Sequence, residues 1–273
     1  MSRLHDALRQ LEAMTPPEGR HSGITEILRD LPEALNGHAA RQVRRVNIRI
    51  GPESHIVVNA ARNDRVREQF RFIEHRLRKM GESSRIKRVL VTSSTPKEGK
   101  TVVAANLAVA LASSSSRVLL LDADMRGPAT QDLYGINATS GLADILERRA
   151  TVSDVLLYLE EMKVHYIPAG KPSTSPSDLL NSIRLTALLS ELDDFDWIVV
   201  DSPPVSTFAD ALSLASQTDT VIVVARSGMT YKRDLEESLA ALKESKIAGV
   251  ILNAHDRGKK RDGYYSYYSH EKK

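Results

Sequence analysis

Six short apolar runs, separated by segments with helical patterning, dominate the chain from Arg88 onward. A strand that is apolar along its whole length is typical of a parallel sheet buried on both faces, and helices supply the crossovers between such strands. We therefore predict a three-layer α/β domain over residues 85–255. The predicted strands are Val89–Thr92, Val118–Leu121, His165–Ile167, Trp197–Val200, Val221–Val224 and Val250–Leu252, and the predicted helices include Thr101–Ala112, Pro176–Leu192 and Thr230–Ser245.

The residues before this domain are predicted to form a helix, a linker and a second helix. Apolar residues at helical spacing predict a short amphipathic helix over residues 2–14, the first part of an N-terminal extension covering residues 1–60. The rest of that extension lacks a sustained period and is interpreted as a flexible linker, with an extended piece at Val46–Ile50. Residues 61–84 follow as a basic amphipathic helix. We favour its packing on the next domain over a dedicated lipid or partner surface.

The composition excludes several classes of protein. The chain has no cysteine, so disulfide scaffolds, cysteine-ligated metals and cysteine nucleophiles are excluded. No HExxH pair or Gly-x-Ser-x-Gly elbow occurs, so zinc and serine hydrolases have no support. The net charge of +3 is too small to argue for nucleic acid. No apolar run is long enough to cross a bilayer and the first residues do not resemble a secretory signal, so we expect a cytoplasmic protein.

A loop with the sequence of a phosphate-binding site follows the first predicted strand. It is a Walker A motif in which a serine stands in place of the first glycine: Ser94, Thr95, Pro96, Lys97, Glu98, Gly99, Lys100 and Thr101. Phosphates need backbone N–H donors at a helix N-terminus, a lysine for the β and γ oxygens and a hydroxyl for Mg²⁺, and a strand–loop–helix unit supplies all three. The alternative, an ordinary turn between strand and helix, is disfavoured by the flanking pattern.

Aspartates follow two other predicted strands. Asp122 and Asp124 come after the second strand, and Asp201 comes after the fourth. An open parallel sheet has its ligand crevice at the carboxyl ends of its strands. A single aspartate there is more often a turn or cap residue, but three beside a phosphate loop favour a site. Thr101, Asp124 and Asp201 form a plausible Mg²⁺ set, which leaves Asp122 to accept a proton.

Together these motifs resemble the bacterial tyrosine kinases, or BY-kinases, that accompany capsule and exopolysaccharide synthesis. The resemblance covers about residues 64–270, and the array is specific although no single piece is. It rests on Ser94–Thr101 as Walker A, Leu119–Arg126 as Walker A′, Ile198–Pro204 as Walker B, Gly141–Leu146 and Pro176–Leu180 as intervening segments, and a tyrosine-rich tail. The fold implied is a P-loop NTPase fold of the MinD/ParA type with a mostly parallel central sheet.

The activity implied by the resemblance is ATP-dependent autophosphorylation on tyrosine. Four of the eight tyrosines lie in the tail, residues 256–273, which has no aliphatic anchor and is expected to be mobile. In the family such a cluster accepts phosphate from the site of another subunit; the alternative is a sticky tail without that role. The implied acceptors are Tyr264, Tyr265, Tyr267 and Tyr268, and the implied catalytic residues are Lys100, Asp122, Asp124 and Asp201. Mg²⁺ would be held by Thr101, Asp124 and Asp201, and Asn253 would contact the nucleotide base.

The resemblance also implies partners. A transmembrane polysaccharide co-polymerase or activator would bring this otherwise cytoplasmic chain to the inner membrane, other copies of the chain would form a homo-oligomer, and further protein substrates are possible. Partition-type ATPases of the same superfamily act on DNA or membrane and carry a signature lysine where Thr95 stands here. A partition-type ATPase, and nucleic-acid binding with it, is therefore disfavoured.

Two positions depart from the family pattern. BY-kinases commonly have glycine where Lys97 stands, so this side chain must point away from the phosphates or add a contact. Glu68 and Arg71 match the first two positions of a Glu-x-x-Arg-x-x-Arg ring-forming motif, but the third is Glu74. This charge reversal at a subunit contact would either cost roughly a few kcal/mol or be compensated by neighbouring Arg76. Both departures favour a second hypothesis, an ATP-binding switch or scaffold with little kinase activity.

Overall fold

The structure is a computed structural model whose described residues all belong to one unit of the chain, residues 42–273. It describes residues 43–48, 56, 64–126, 134–136, 138–171, 175–207 and 209–255. The predicted helix at residues 2–14, most of the predicted linker and the tyrosine-rich tail lie outside the described residues.

Eight strands within the described ranges form one sheet. They are β1 (Arg44–Val46), β2 (Arg88–Ser93), β3 (Val118–Asp122), β4 (Leu157–Leu159), β5 (Val164–Ile167), β6 (Trp197–Asp201), β7 (Thr220–Arg226) and β8 (Ile247–Asn253). Their order across the sheet is β1-β4-β5-β3-β6-β2-β7-β8. β4 pairs antiparallel with β5, whereas the other neighbouring strands pair in parallel. The prediction of a mostly parallel sheet is confirmed.

Helices cover both faces of this sheet. They are α1 (Asp64–Ser83), α2 (Lys100–Ala112), α3 (Leu142–Leu146), α4 (Val152–Val155), α5 (Pro176–Leu180), α6 (Ile183–Glu191), α7 (Asp210–Ala215) and α8 (Lys232–Ala241). Successive strand residues feed opposite core clusters: Val89 and Val91 pack with α1 and α2, and Leu90 packs with the other helices. This is the three-layer α/β architecture that the sequence predicts. No described helix combines the length and apolarity needed to cross a membrane.

Helix α1 lies against α2, and Glu74 of α1 is buried by this packing. Glu74 is buried at 7% exposure and accepts hydrogen bonds from Arg78 Nε at 2.9 Å and from the Ser114 hydroxyl. Its charge is therefore compensated within the subunit. The compensating residue within the subunit is Arg78, one helical turn away, whereas the Arg76 guanidinium lies over the ring of exposed Phe72. The effect of Glu74 on a contact between subunits stays a prediction.

The differences from the predicted elements have local causes. The predicted helix Pro176–Leu192 is two helices, because Ser182 adopts an extended backbone (φ −83°, ψ 150°) and begins α6. The third predicted helix begins at Lys232 rather than Thr230, since Tyr231 is also extended. Strand β4 and helices α3, α4 and α7 were not predicted, because three to six residues are too few to show a period.

A close backbone contact joins the start of α3 to the segment after β5. The N–H groups of Leu142 and Ala143 donate to the carbonyls of Pro168 and Ala169 at 2.8 and 3.0 Å. At Gly141 this leaves no room for a side chain, because a Cβ there would lie 2.2 Å from the Pro168 oxygen.

Candidate active site

The carboxyl ends of three adjacent strands bring the predicted site residues to one edge of the sheet. The phosphate loop follows β2, which lies beside β6, and β6 lies beside β3. Asp122 ends β3 and Asp201 ends β6, and the two are paired directly across the strands. Both are almost fully buried, at 0% and 1% exposure. Two carboxylates in so dry a place require a nearby cation or a network of hydrogen bonds.

Lys100, the first residue of α2, is the cation among these carboxylates. Its Nζ donates to Asp124 Oδ2 at 2.8 Å, and the backbone N–H of Asp124 donates to Asp122 Oδ1 at 3.0 Å. Burial lowers the pKa of Lys100, but the charges of Asp201, Asp124 and Asp122 together outweigh it, so its pKa is raised. Lys100 is thus firmly charged, and a phosphate oxygen would compete with Asp124 for it.

The phosphate loop is closed by its own glutamate. Glu98 is fully buried, and its carboxylate accepts hydrogen bonds from the N–H and hydroxyl of Thr95, both at 3.0 Å, and from the hydroxyl of Thr230. The side chains of Glu98 and Thr95 therefore shape the loop, and Thr230 ties it to the segment before α8. The neighbouring Ser94 is buried, with its carbonyl accepting from the Ser206 N–H at 3.2 Å, whereas Pro96 is exposed.

Lys97 has a left-handed backbone conformation, which explains why BY-kinases commonly have glycine at this position. Its φ is 67° and its side chain is exposed, while its carbonyl accepts a hydrogen bond from Arg226 Nη1 at 3.1 Å. A side chain in this region costs about 1–2 kcal/mol, which glycine avoids. The lysine is therefore accommodated at the cost of local strain.

The variant Lys97→Gly should raise the free energy of unfolding by about 1 kcal/mol, since the strain at φ 67° disappears and part of the gain is offset by the greater freedom of glycine in the unfolded chain. Lys97→Ala is the matched control, because alanine removes the same charge and keeps the strain. Urea unfolding measures both. Equal midpoints for the two variants would contradict the strain.

Asn253, the last residue of β8, also supports the loop. Its Nδ2 donates to the Glu98 carbonyl at 2.9 Å, and its Oδ1 accepts from the N–H of Ala254 at 2.8 Å. Gly99, which follows Glu98 in the loop, has φ 92°, and a Cβ on Gly99 would lie 2.2 Å from Asn253 Nδ2. Asn253 therefore fixes the entry to α2 in the structure, and its contact with a nucleotide base stays a prediction.

The donor set suits a metal ion that arrives together with phosphates. In the described part of the chain, no group of three or more His, Cys, Asp or Glu side chains is arranged to hold a metal by itself. Mg²⁺, however, prefers oxygen ligands and commonly uses one or two carboxylates together with phosphate oxygens and water. The hydroxyl of Thr101 in the first turn of α2 and the carboxylates of Asp124 and Asp201 are of this kind. These residues fit the ion.

Several residues of the site gave no local signal in the sequence. Thr230 and Arg226 reach the phosphate loop only because β7 lies beside β2. Tyr134 is fully buried, and its ring meets the ring of Tyr166 edge to face at 5.5 Å. Burial, and then the charges of Asp201 and Asp122, holds the pKa of Tyr134 well above its ordinary value. It therefore remains a neutral wall beside the carboxylates, a role that only the three-dimensional structure reveals.

Comparisons with known proteins agree with this geometry. A family model described as the CobQ/CobB/MinD/ParA nucleotide binding domain matches residues 89–273. The chain is similar to the tyrosine-protein kinase YwqD of Bacillus subtilis, with 32% identity over 72% of this chain and 85% of that protein. It is 33% identical to the tyrosine-protein kinase wzc of Salmonella typhimurium over 67% of this chain, which spans only 26% of that longer protein.

A solved structure gives the same result at the level of the fold. The kinase domain of the Escherichia coli tyrosine kinase ETK superposes with a TM-score of 0.69 and is 28% identical, covering 73% of this chain and 81% of that one. The resemblance therefore extends from the motifs to the arrangement of the whole domain.

Proposed function

This chain belongs to the CobQ/CobB/MinD/ParA nucleotide-binding family and, within it, to the bacterial tyrosine kinases, and we propose that it transfers the γ-phosphoryl group of ATP to tyrosines of other copies of itself. A protein-tyrosine kinase must bind ATP and neutralise the negative charge that develops as the phosphoryl group is transferred. The observation that carries the proposal is the position of Lys100 beside Asp122, Asp124 and Asp201, at the N-terminus of α2.

In the proposed reaction, backbone N–H groups of the loop around residues 96–101 bind the phosphates and Lys100 neutralises charge on the β and γ oxygens. Thr101, Asp124 and Asp201 would hold Mg²⁺ and its water shell. When bound, Mg²⁺ would offset the charge of the phosphates. The tyrosine oxygen attacks the γ phosphorus, the bond from that phosphorus to the bridging oxygen of ADP breaks, and the tyrosine proton passes to the carboxylate of Asp122.

The proposed acceptors are the tail tyrosines, Tyr264, Tyr265, Tyr267 and Tyr268. Each phosphate adds about −1.5 to −2 charges to a segment that also contains lysines and arginine, so phosphorylation reverses the sign of the tail. A membrane-bound activator, control of exopolysaccharide or capsule synthesis and location at the inner membrane through that partner belong to the same proposal. They rest on the resemblance of the motifs to the BY-kinases that accompany capsule and exopolysaccharide synthesis.

A mixture of two inactive variants tests the proposal. Lys100→Met keeps the tail and loses the catalytic lysine, whereas replacing all four tail tyrosines by phenylalanine keeps the site and loses the acceptors. With ATP and Mg²⁺, each variant alone should give little phosphotyrosine, and the mixture should label the Lys100→Met chain, because one copy supplies the site and the other supplies the tail. Phosphotyrosine blotting of chains that differ in tag length measures this.

Three outcomes would count against the proposal in different ways. No label on the mixture together with label on the unaltered chain would place the reaction within one subunit. Normal labelling of the phenylalanine variant would move the acceptors elsewhere in the chain. Binding of ATP without any phosphotyrosine in the unaltered chain would favour the ATP-binding switch or scaffold.

A further inference from the structure

Three side chains that hydrogen-bond to one another lie immediately after the carboxylate-bearing loop of β3. We call Arg126, Ser177 and Asp210 the Arg126 cluster. Arg126 Nε donates to Asp210 Oδ2 at 2.8 Å, and Arg126 Nη2 donates to the Ser177 hydroxyl oxygen at 2.9 Å. The Ser177 hydroxyl in turn donates to the second oxygen of Asp210, Oδ1, at 2.6 Å. Each member therefore touches both others.

The position of the cluster in the fold is what gives it significance. Arg126 lies two residues after Asp124, Ser177 lies in α5, and Asp210 is the first residue of α7, in the segment that follows β6 and Asp201. The cluster thus ties together the two chain segments that carry Asp124 and Asp201. Asp124 is only two residues from Arg126, so it cannot move far without displacing a member of the cluster.

The charges make this tie rigid. The Asp210 side chain is 1% exposed, whereas the Arg126 side chain is 31% exposed. A carboxylate buried to that degree is stable only with a charged partner and satisfied oxygens, and Arg126 and Ser177 provide both. Arg126 is therefore held in one place by Asp210, and so is the short segment from Asp124 to Arg126.

This tie matters most when phosphate occupies the loop. Lys100 now holds Asp124 Oδ2 at 2.8 Å, but in the proposed function Lys100 must turn to the phosphate oxygens. Asp210 and Ser177 have no part in holding phosphate in that function, so their hold on Arg126 does not depend on the nucleotide. The Arg126 cluster then remains, together with the hydrogen bond from the Asp124 N–H to Asp122 Oδ1, to keep Asp124 at the edge of the sheet when Lys100 turns to the phosphates.

We propose that Asp210 is a positioning residue which, through Arg126, fixes Asp124 for the metal ion. The inference rests on the proposed function, in which Asp124 and Asp201 help to hold Mg²⁺. Losing a residue that hydrogen-bonds directly to a metal ligand commonly changes metal affinity about 10- to 100-fold, and Asp210 acts one step farther out, so we expect an effect at the lower end of that range. Asp210 acts on the metal and not on the loop, so nucleotide affinity without metal is independent of it.

Calorimetric titration of the purified full chain with ADP, at a series of Mg²⁺ concentrations and in EDTA, tests the proposal. In Asp210→Asn the Mg²⁺ concentration that gives half of the metal-dependent gain in ADP affinity should rise about tenfold. The ADP affinity in EDTA should stay within twofold of the unaltered chain. Ser177→Ala, which keeps the ion pair between Arg126 and Asp210, should shift the same midpoint in the same direction by a smaller factor.

Asp219→Asn is the matched control. The carboxylate of Asp219 also accepts two hydrogen bonds, from the N–H groups of Lys87 and Arg88 at 2.7 Å each, but it lies where β2 begins, at the opposite edge of the sheet. It should lower stability and leave the Mg²⁺ midpoint unchanged. If Asp210 acts through Arg126, adding Asp210→Asn to Arg126→Ala should shift the midpoint no further than Arg126→Ala alone.

The outcomes separate the two proposals. An unchanged midpoint in both Asp210→Asn and Ser177→Ala, or an equal shift in Asp219→Asn, would overturn the positioning role while leaving the kinase intact. Absence of any ADP heat from the unaltered chain, with or without Mg²⁺, would overturn the proposed function itself.

Discussion

Phosphotyrosine formation should fall at least about 100-fold in Lys100→Met, which corresponds to roughly 3 kcal/mol of lost transition-state stabilisation. Methionine is unbranched and only one atom shorter than lysine but carries no charge, so the charge that develops on the transferring phosphoryl group is no longer neutralised. The change also leaves the carboxylates of Asp122, Asp124 and Asp201 without the cation whose pKa they raise, so that they repel the phosphates. Initial rates at saturating ATP and Mg²⁺ measure the effect.

Two further variants are compared with Lys100→Met in this measurement. Lys243→Met removes an exposed lysine whose side chain is 75% accessible and should leave the rate unchanged. Asp122→Asn should lose less activity than Lys100→Met, because charge neutralisation supplies more of the gain in a loose phosphoryl-transfer transition state than proton acceptance does. Circular dichroism must show that each variant is folded. A folded Lys100→Met protein with the activity of the unaltered chain would refute the assignment of Lys100.

Gly141→Ala should destabilise the domain by about 3 kcal/mol or more. The added Cβ would lie 2.2 Å from the Pro168 oxygen, 2.3 Å from the Gly170 nitrogen and 2.8 Å from the Ala169 carbonyl carbon. All three are backbone atoms, so no side chain can rotate away, and the start of α3 must separate from the segment after β5. The φ of −169° is extended and allows any residue, which makes the effect purely one of space.

Urea unfolding provides the measurement, with Gly81→Ala as the control. A Cβ on Gly81 would make ordinary contacts at 3.9 Å with Ile86, and alanine favours the helical backbone, so Gly81→Ala should be neutral or stabilising. Equal unfolding midpoints for Gly141→Ala and the unaltered chain would show that the contact is not as close as described.

What the sequence could predict of the fold depended on the length of each element. The strand at Val118–Asp122 is apolar throughout until its final aspartate, and the sequence identified it within one residue. β4 has only three residues, Leu157–Leu159, and runs antiparallel to β5, so neither its length nor the surrounding strand–helix alternation indicated it. Short elements are held by tertiary contacts that a local pattern does not contain.

The same distinction applies to the site. The phosphate loop and the aspartates at strand ends were found because each motif is contiguous in the chain. Asp210, in contrast, looks like an ordinary acidic residue in the first turn of a helix, and its partners Arg126 and Ser177 are brought to it only by the sheet order. Lys97 was recognised as a departure from the family pattern, but its backbone conformation was needed to explain why.

The interior position of β2, between two strands that come later in the chain, has a consequence for the way the protein folds. Leu90 of this early strand pairs with Val200 on one side and Val221 on the other, both contributed much later in the chain. High contact order of this kind makes folding slow, and the loop that follows β2 acquires its supports from β7 and β8 only when the late strands have docked. Regain of nucleotide binding during refolding should therefore be a late event that reports completion of the native topology.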